Sequence, residues 1–373
     1  MAWVRTPSDS PTPTKEHTVR SPQRLARIPM TTPTTPTGIT RQRRGATMKA
    51  IVQDVYGTPD ILRLDDVDVP AVGPEDVLVQ VRAAGVDAGV WHLMEGQPYL
   101  MRVMGFGLRG PKARTRGQDV AGVVAAVGAQ VTVLRPGDEV FGTADGSFAE
   151  YATTRADRLA VKPSLLDFEQ AAVIPTSGVT ALQALRRADV GAGTHVLVIG
   201  AGGGVGTFAV QLAKALGAEV TGCCSTSKVD LVRSIGADHV IDHTQEEVTA
   251  GGRRYDAILD LAGNRPLPVL REALTPRGRL VIVGGEDGGR WLGGMQRVLG
   301  ATLLSPFVSQ SLTGLFATIR AADLRHLAEL AESGKVVPVM DRIYALHEAA
   351  DAIRHVHTGR ARGKVSLSVD TPG

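Results

Sequence analysis

With 373 residues, 43% hydrophobic and 21% charged, the chain has material for two or three domains and the composition of a water-soluble protein; no apolar run approaches the roughly 20 residues that cross a bilayer. Its net charge of +3 divides into +6 for residues 1–47, from eight basic and two acidic side chains, and −3 for residues 48–373, so the body offers no basic footprint for nucleic acid. The two cysteines, Cys223 and Cys224, are neighbours in sequence, which excludes a disulfide framework and a Cys-x-x-Cys zinc lobe and fits the cytoplasm.

Residues 1–47 are rich in Pro, Thr, Ser and Arg, as in Thr31-Thr32-Pro33-Thr34-Thr35-Pro36-Thr37. They lack the apolar periodicity that would repay the entropy of ordering them, and a disordered tail is expected. The composition has some features of a transit peptide, but the proline spacing opposes an amphipathic helix. Residues read from upstream of a start at Met48 explain the tail more simply. From residue 48 the texture changes. Residues 49–52 read as a strand, and residues 77–83 as another, set off by the turn Pro74-Glu75-Asp76. A Gly- and Val-rich strand over 120–127, the turn and strand over 137–142, and the segment 148–152 complete an irregular all-β region.

Beyond Asp167 the pattern alternates. Helices are expected over 168–172, 179–187, 205–216, 228–235 and 267–274, and strands over 194–199, 219–224, 239–241, 255–261 and 279–283. Strands alternating with helices imply a doubly wound parallel sheet. Two further helices (320–333 and 346–357) and a strand (364–369) end the chain.

The sharpest feature is Val196-Leu197-Val198-Ile199-Gly200-Ala201-Gly202-Gly203-Gly204-Val205-Gly206, followed by an amphipathic segment. An apolar strand enters a glycine cluster and a helix leaves it. That context marks a dinucleotide-binding turn, whose glycines let the backbone approach a pyrophosphate at the helix start. The spacing Ala201-x-Gly203-x-x-Gly206 puts alanine at the first glycine of the usual fingerprint. Ala201, Gly203, Gly204, Val205 and Gly206 are therefore assigned to the cofactor. A carboxylate for the ribose 2′-hydroxyl belongs at the end of the second strand. Here Ser225-Thr226-Ser227-Lys228 stands instead, with no acidic residue before Asp230. Ser225 and Lys228 suit a 2′-phosphate, and NADPH is expected over NADH; the plainer reading has Ser225 capping the next helix and Lys228 in solvent.

Several segments resemble the medium-chain dehydrogenase/reductase superfamily in its zinc-independent quinone oxidoreductase branch, over residues 48–369. They are Gly117-Gln118-Asp119-Val120-Ala121-Gly122-Val123-Val124, Gly137-Asp138-Glu139-Val140-Phe141-Gly142, Pro175-Thr176-Ser177-Gly178-Val179-Thr180-Ala181, the glycine turn, Leu216-Gly217-Ala218 and Gly236-Ala237-Asp238. The resemblance implies an α/β architecture: a GroES-like irregular β domain over 48–173, completed by 309–373, and a Rossmann domain over 174–308, with the active site in the cleft between them. It implies a homodimer, and cofactor contacts from Thr180, His243, Gly284, Gly285 and Lys364, although His243 in a solvated loop and Lys364 at a solvated strand start are the alternatives. Zinc-dependent relatives hold their metal where this chain has Asp87, Gln118 and about Thr176, a set without thiolate or imidazole, so no metal is expected. Without a Lewis acid, a small apolar quinone or α,β-unsaturated carbonyl is the implied hydride acceptor. Tyr99 and Asp87 are the implied catalytic side chains, with Tyr99 one residue out of register and Asp87 in place of an asparagine. His92, among Trp91, Leu93 and Met94, reads as a packed or surface imidazole. The loops 100–112 and 291–307 are expected to line the cleft. Two other readings remain: an NAD(P)-dependent alcohol dehydrogenase, and a dinucleotide-binding protein without catalysis.

Overall fold

The structure, a computed structural model, describes residues 45–263, 265–285 and 289–369. The tail expected over 1–47 lies outside them apart from its last three residues, of which Thr47 already opens the first strand. β1 (Thr47–Val52) and β2 (Arg63–Asp68) form an antiparallel ribbon. β3 (Asp76–Val86) is the long axis of the β domain: its inward valines, Val77, Val79 and Val81, are fully buried. Helix α1 (Ala88–Glu95) and the single turn α2 (Tyr99–Met101) follow it. β4 (Asp119–Val127), β5 (Glu139–Thr143), β6 (Tyr151–Arg155) and β7 (Leu159–Val161) then lead to α3 (Phe168–Ala172). A capping box between Asp167 and Gln170 starts α3.

The second domain begins with α4 (Pro175–Arg187), four residues earlier than its apolar pattern suggests, because Pro175 is well suited to a first helical turn. It continues through β8 (His195–Ile199), α5 (Gly204–Ala215), β9 (Glu219–Cys224), α6 (Val229–Ser234), β10 (His239–Asp242), β11 (Tyr255–Asp260), α7 (Leu267–Glu272), β12 (Leu274–Ile282), α8 (Met295–Leu304) and β13 (Ser311–Gly314). These strands form one parallel sheet in the order β10-β9-β8-β11-β12-β13. That is the doubly wound order, and the reversal between β8 and β11 opens a crevice at the carboxyl ends of the strands. The sheet runs past the boundary expected at 308, since β13 is its sixth strand. Likewise the segment 291–307, expected as a loop, contains α8.

The chain then returns. After α9 (Ala321–Glu332), β14 (Met340–Ala345), α10 (Ala349–His357) and β15 (Lys364–Ser368) join the first domain. β15 pairs antiparallel with β3, giving the sheet order β14-β15-β3-β4-β5-β7 with β6 also on β3. The register sets Val365 opposite Val86 and Gly85 opposite Asp119. Residues 87, 119 and 364 thus come together at one end of three adjacent strands, facing the second domain.

Ile258 in β11 is fully buried in a cluster with Leu197, Tyr255, Leu280 and Leu312. Ile258→Ala is expected to cost about 2–5 kcal/mol of stability, read as a lower urea midpoint at unchanged slope.

Candidate active site

The turn between β8 and α5 floors a cavity of about 500 Å³ at the crevice. Gly200 has φ +86°, and a Cβ on Gly206 would lie 2.1 Å from the Gly200 carbonyl oxygen, so both positions require glycine. Thr207 donates the first helical bond, to the Gly203 carbonyl at 3.0 Å. The amides of Gly204, Val205 and Gly206 precede it and are left at the positive helix end for an anion. The cradle fits a dinucleotide pyrophosphate.

Asp87, Gly203, Gly204, Val205, Gly206, Ser225, Lys228, His243 and Lys364 all line this cavity. Lys228 is no solvated lysine: it is buried, its stem packs on Gly202, and Nζ donates to the Gly359 carbonyl at 2.8 Å. Burial lowers its pKa. Ser225 precedes a short 3-10 turn without capping it through its side chain, and its hydroxyl lies 3.5 Å from that of Ser227. His243 is exposed, its backbone tied to the Cys224 carbonyl. Lys364, expected at a strand start, is only 2% exposed. Its Nζ donates to Ser177 Oγ at 3.0 Å and to the Val86 carbonyl at 3.4 Å, and its stem passes the position where a Cβ of Gly204 would be.

Five assigned residues lie elsewhere. Ala201 is buried beneath the turn, with its methyl toward Gly222. Thr180 turns its hydroxyl to the Thr176 carbonyl at 2.6 Å and lines a neighbouring polar groove with Thr176 and Gln118; Ser177, three residues earlier, faces the glycine turn instead. Gly284 and Gly285 line a separate cavity of about 710 Å³. Tyr99 lines neither cavity, because its ring meets the edge of Trp291 at 5.3 Å and the Arg102 guanidinium at 4.8 Å.

The 710 Å³ cavity meets the glycine-turn cavity at Ala88 and Val356, which line both. Its walls are mainly apolar, among them Leu100, Met101, Phe106 and Met295, while Leu292 and Gln97 come from the expected loop 291–307 and the segment before α2. His92 belongs to its lining, not to the core. The Trp91 indole stacks on the His357 ring at 3.4 Å in the same wall.

At the base of the site, Asp119 is fully buried and accepts from the Thr176 N–H at 3.1 Å and from the Thr176 hydroxyl. Burial and then the neighbouring Asp87 push its pKa up to about 7, opposed by Lys364 and the Thr176 bonds. Asp87 caps α1 by accepting from the Gly89 N–H at 2.8 Å through Oδ1, and its Oδ2 is buried with no partner. Sequence reading missed Ser177, Asp119 and Arg265. Arg265 also lines the dinucleotide cavity, 3.6 Å from Cys223 Sγ. Both cysteines are free and buried, and burial pushes their thiols up to about 11.

The zinc positions do not fit that metal. Asp87 is committed to a helix cap, Gln118 offers an amide, and Thr176 spends its hydroxyl on Asp119. None is a thiolate or imidazole.

A doubly wound sheet with a glycine turn over a helix start, closed by a β domain that lends a buried lysine to the same cavity, defines a two-domain, dinucleotide-dependent oxidoreductase. Two family models match, one described as an alcohol dehydrogenase GroES-like domain over residues 73–164 and one as a zinc-binding dehydrogenase over 235–367. The chain is 32% identical to an NADPH-dependent alkenal/one oxidoreductase, chloroplastic, of Arabidopsis thaliana, over 85% of this chain and 78% of that protein. It is 31% identical to a 2-methylene-furan-3-one reductase of Solanum lycopersicum, over 86% and 79%. The solved quinone oxidoreductase of Coxiella burnetii superposes with a TM-score of 0.78 at 29% identity, over 87% of this chain and 100% of that one. The chain belongs to the medium-chain dehydrogenase/reductase superfamily, in its quinone oxidoreductase branch.

Two outcomes are expected. Gly206→Ala weakens dinucleotide binding at least about tenfold in a fluorescence titration, because the added methyl displaces the turn from the anion. Because Asp119 has a raised pKa, the folded state keeps a proton that the unfolded chain releases near its ordinary value of 3.8. That stabilisation is complete below about pH 3.8 and is lost as pH rises through about 7. Urea unfolding at pH 5 and pH 8 is expected to show a larger fall for the wild type than for Asp119→Asn; equal falls refute the assignment.

Proposed function

We propose that this protein is an NADPH-dependent reductase, working without zinc, that delivers hydride to a quinone or an α,β-unsaturated carbonyl. The observation that carries this reading is the junction at Ala88 and Val356, where the glycine-turn cavity opens into a mainly apolar cavity of about 710 Å³. Bound NADPH supplies the hydride. The chain holds the dinucleotide, excludes water with Leu100, Met101, Phe106 and Leu292, and keeps the acceptor beside it. A conjugated acceptor needs only hydrogen bonds to its oxygen, which suits a site whose donors do not fit zinc. The names of the Arabidopsis, tomato and Coxiella relatives support the same acceptor class.

Ser225, Lys228, His243 and Arg265 gather round the end of β9, and at that end no carboxylate among the described residues lines the cavity, which supports NADPH over NADH. We assign the role of oxygen contact to ring N–H donors that reach the apolar cavity, His92 and His357, rather than to Tyr99. No helix among the described residues is long and apolar enough to cross a membrane. The free, buried cysteines support our placing the enzyme in the cytoplasm. Among the described residues β13 ends the parallel sheet with one side unpaired, and this edge supports a homodimer formed by pairing across it.

NADPH oxidation against a panel of quinones and enones, with NADH and simple aldehydes as controls, tests the function. Turnover of quinones or enones with NADPH is expected; tight NADPH binding with no turnover of any acceptor would overturn the reading. Lys228→Ala is expected to raise KM for NADPH about tenfold while leaving that for NADH nearly unchanged.

A further inference from the structure

Among the described residues, Arg116 is a buried cation without a counter-ion. It precedes Gly117-Gln118-Asp119, and its backbone is fixed on both sides: its N–H donates to the Ile51 carbonyl at 3.0 Å, and its carbonyl accepts from the Phe148 N–H at 2.9 Å. The residue is 6% exposed. Nη2 donates to the Ala113 carbonyl, Nε is buried with no partner, and among the described residues no carboxylate pairs with the guanidinium. Arg114, two residues back and at the surface, pairs with both Asp54 and Asp65. Burial presses the Arg116 pKa down, with Tyr56 opposing. An arginine nevertheless stays protonated near neutrality, and an unpaired buried charge is costly.

The side chain lines a cavity of about 470 Å³ together with Val90, Leu93, Phe106, Gln118 and Asp145. That cavity shares Phe106 with the apolar acceptor cavity, and Gln118 and Asp145 with the polar groove beside Thr176. It therefore adjoins the acceptor cavity at Phe106. Lys112 and Asp145 are the other charged groups that line it; both are exposed, and neither neutralises the guanidinium.

We propose that Arg116 anchors a carboxylate carried by the acceptor, so that the natural substrate is an unsaturated carbonyl compound bearing an acid group. This rests on the reductase reading above and narrows its substrate class. The guanidinium fork has five donor hydrogens, and the single bond to Ala113 leaves most of them for a planar carboxylate. A phosphate dianion is the poorer match, because Arg116 is the one buried cation lining the cavity among the described residues, Lys112 being exposed, and Asp145 opposes a second negative charge.

The test is a matched pair of acceptors, trans-4-oxo-2-pentenoate and its methyl ester, with NADPH and the full chain as wild type, R116Q and R116K. The wild type is expected to show a KM for the acid about tenfold or more below that for the ester. R116Q raises the KM for the acid by a similar factor and leaves that for the ester unchanged, and R116K falls between; ester turnover reports that each variant is folded. Equal KM values for acid and ester in the wild type, or equal changes for both in R116Q, overturn the proposal. Calorimetric titration of 4-oxopentanoate into NADP-loaded protein separates this from the reductase reading, since it needs no turnover. Binding to the wild type that weakens about tenfold in R116Q supports the anchor even if neither acceptor is reduced. Absent or equal binding overturns it.

Discussion

The pairing of β15 with β3 buries Lys364 among groups from both domains, and the site is organised around that burial. The lysine enters between Val86 and Ser177, beside Asp119 and Asp87, and its stem closes the helix start at Gly204. A buried ammonium is tolerable only with hydrogen bonds and opposite charge at hand, and the buried Asp119 beside the half-buried Asp87 is eased by a cation near it. Each charge therefore makes the others possible. Because Asp87 directly follows β3, Asp119 opens β4 and Lys364 opens β15 while Ser177 belongs to α4, the charge set also couples the two domains across the cleft.

This arrangement separates the tasks of the cleft by polarity. The glycine turn, Lys364 and Lys228 form a polar floor suited to phosphates, while Leu100, Phe106 and Met295 form dry walls beyond Ala88. Low-dielectric walls strengthen the few hydrogen bonds that remain and keep water from competing for a reactive hydride donor. The unpartnered Oδ2 of Asp87 stands where the polar part gives way to the apolar part, since Ala88, the next residue, lines both.

Much of this is legible in the sequence. β8, β9 and β11 announce themselves as short apolar runs because both faces of a central parallel strand are covered. The glycine turn is legible because its backbone geometry admits few other residues. β2, with the sequence Arg63-Leu64-Asp65-Asp66-Val67-Asp68, gives no such sign: it is an edge strand half in solvent, held by pairing to β1. β13 is missed for a similar reason, having one buried side chain, Leu312, in four residues. The charge set was hidden more deeply. Lys364 and Val86 are 278 positions apart, and their meeting depends on strand register, which local pattern does not encode. Tyr99 shows the converse error. Its position along the chain suggests a cleft residue, but Trp291 and Arg102 offer its ring a better place, and side-chain direction is decided by such partners.

The vicinal thiols of β9 have a chemical consequence. Quinones and enones, the proposed acceptors, are soft electrophiles that add to thiolates, and Cys224 lines the cavity that holds the dinucleotide. With both thiols pushed up to about 11, only about one in ten thousand is ionised at neutral pH. An enzyme that holds alkylating molecules in a cavity adjoining the one its Cys224 lines is thereby spared from becoming their covalent target, and the protection comes from burial rather than from the absence of cysteine.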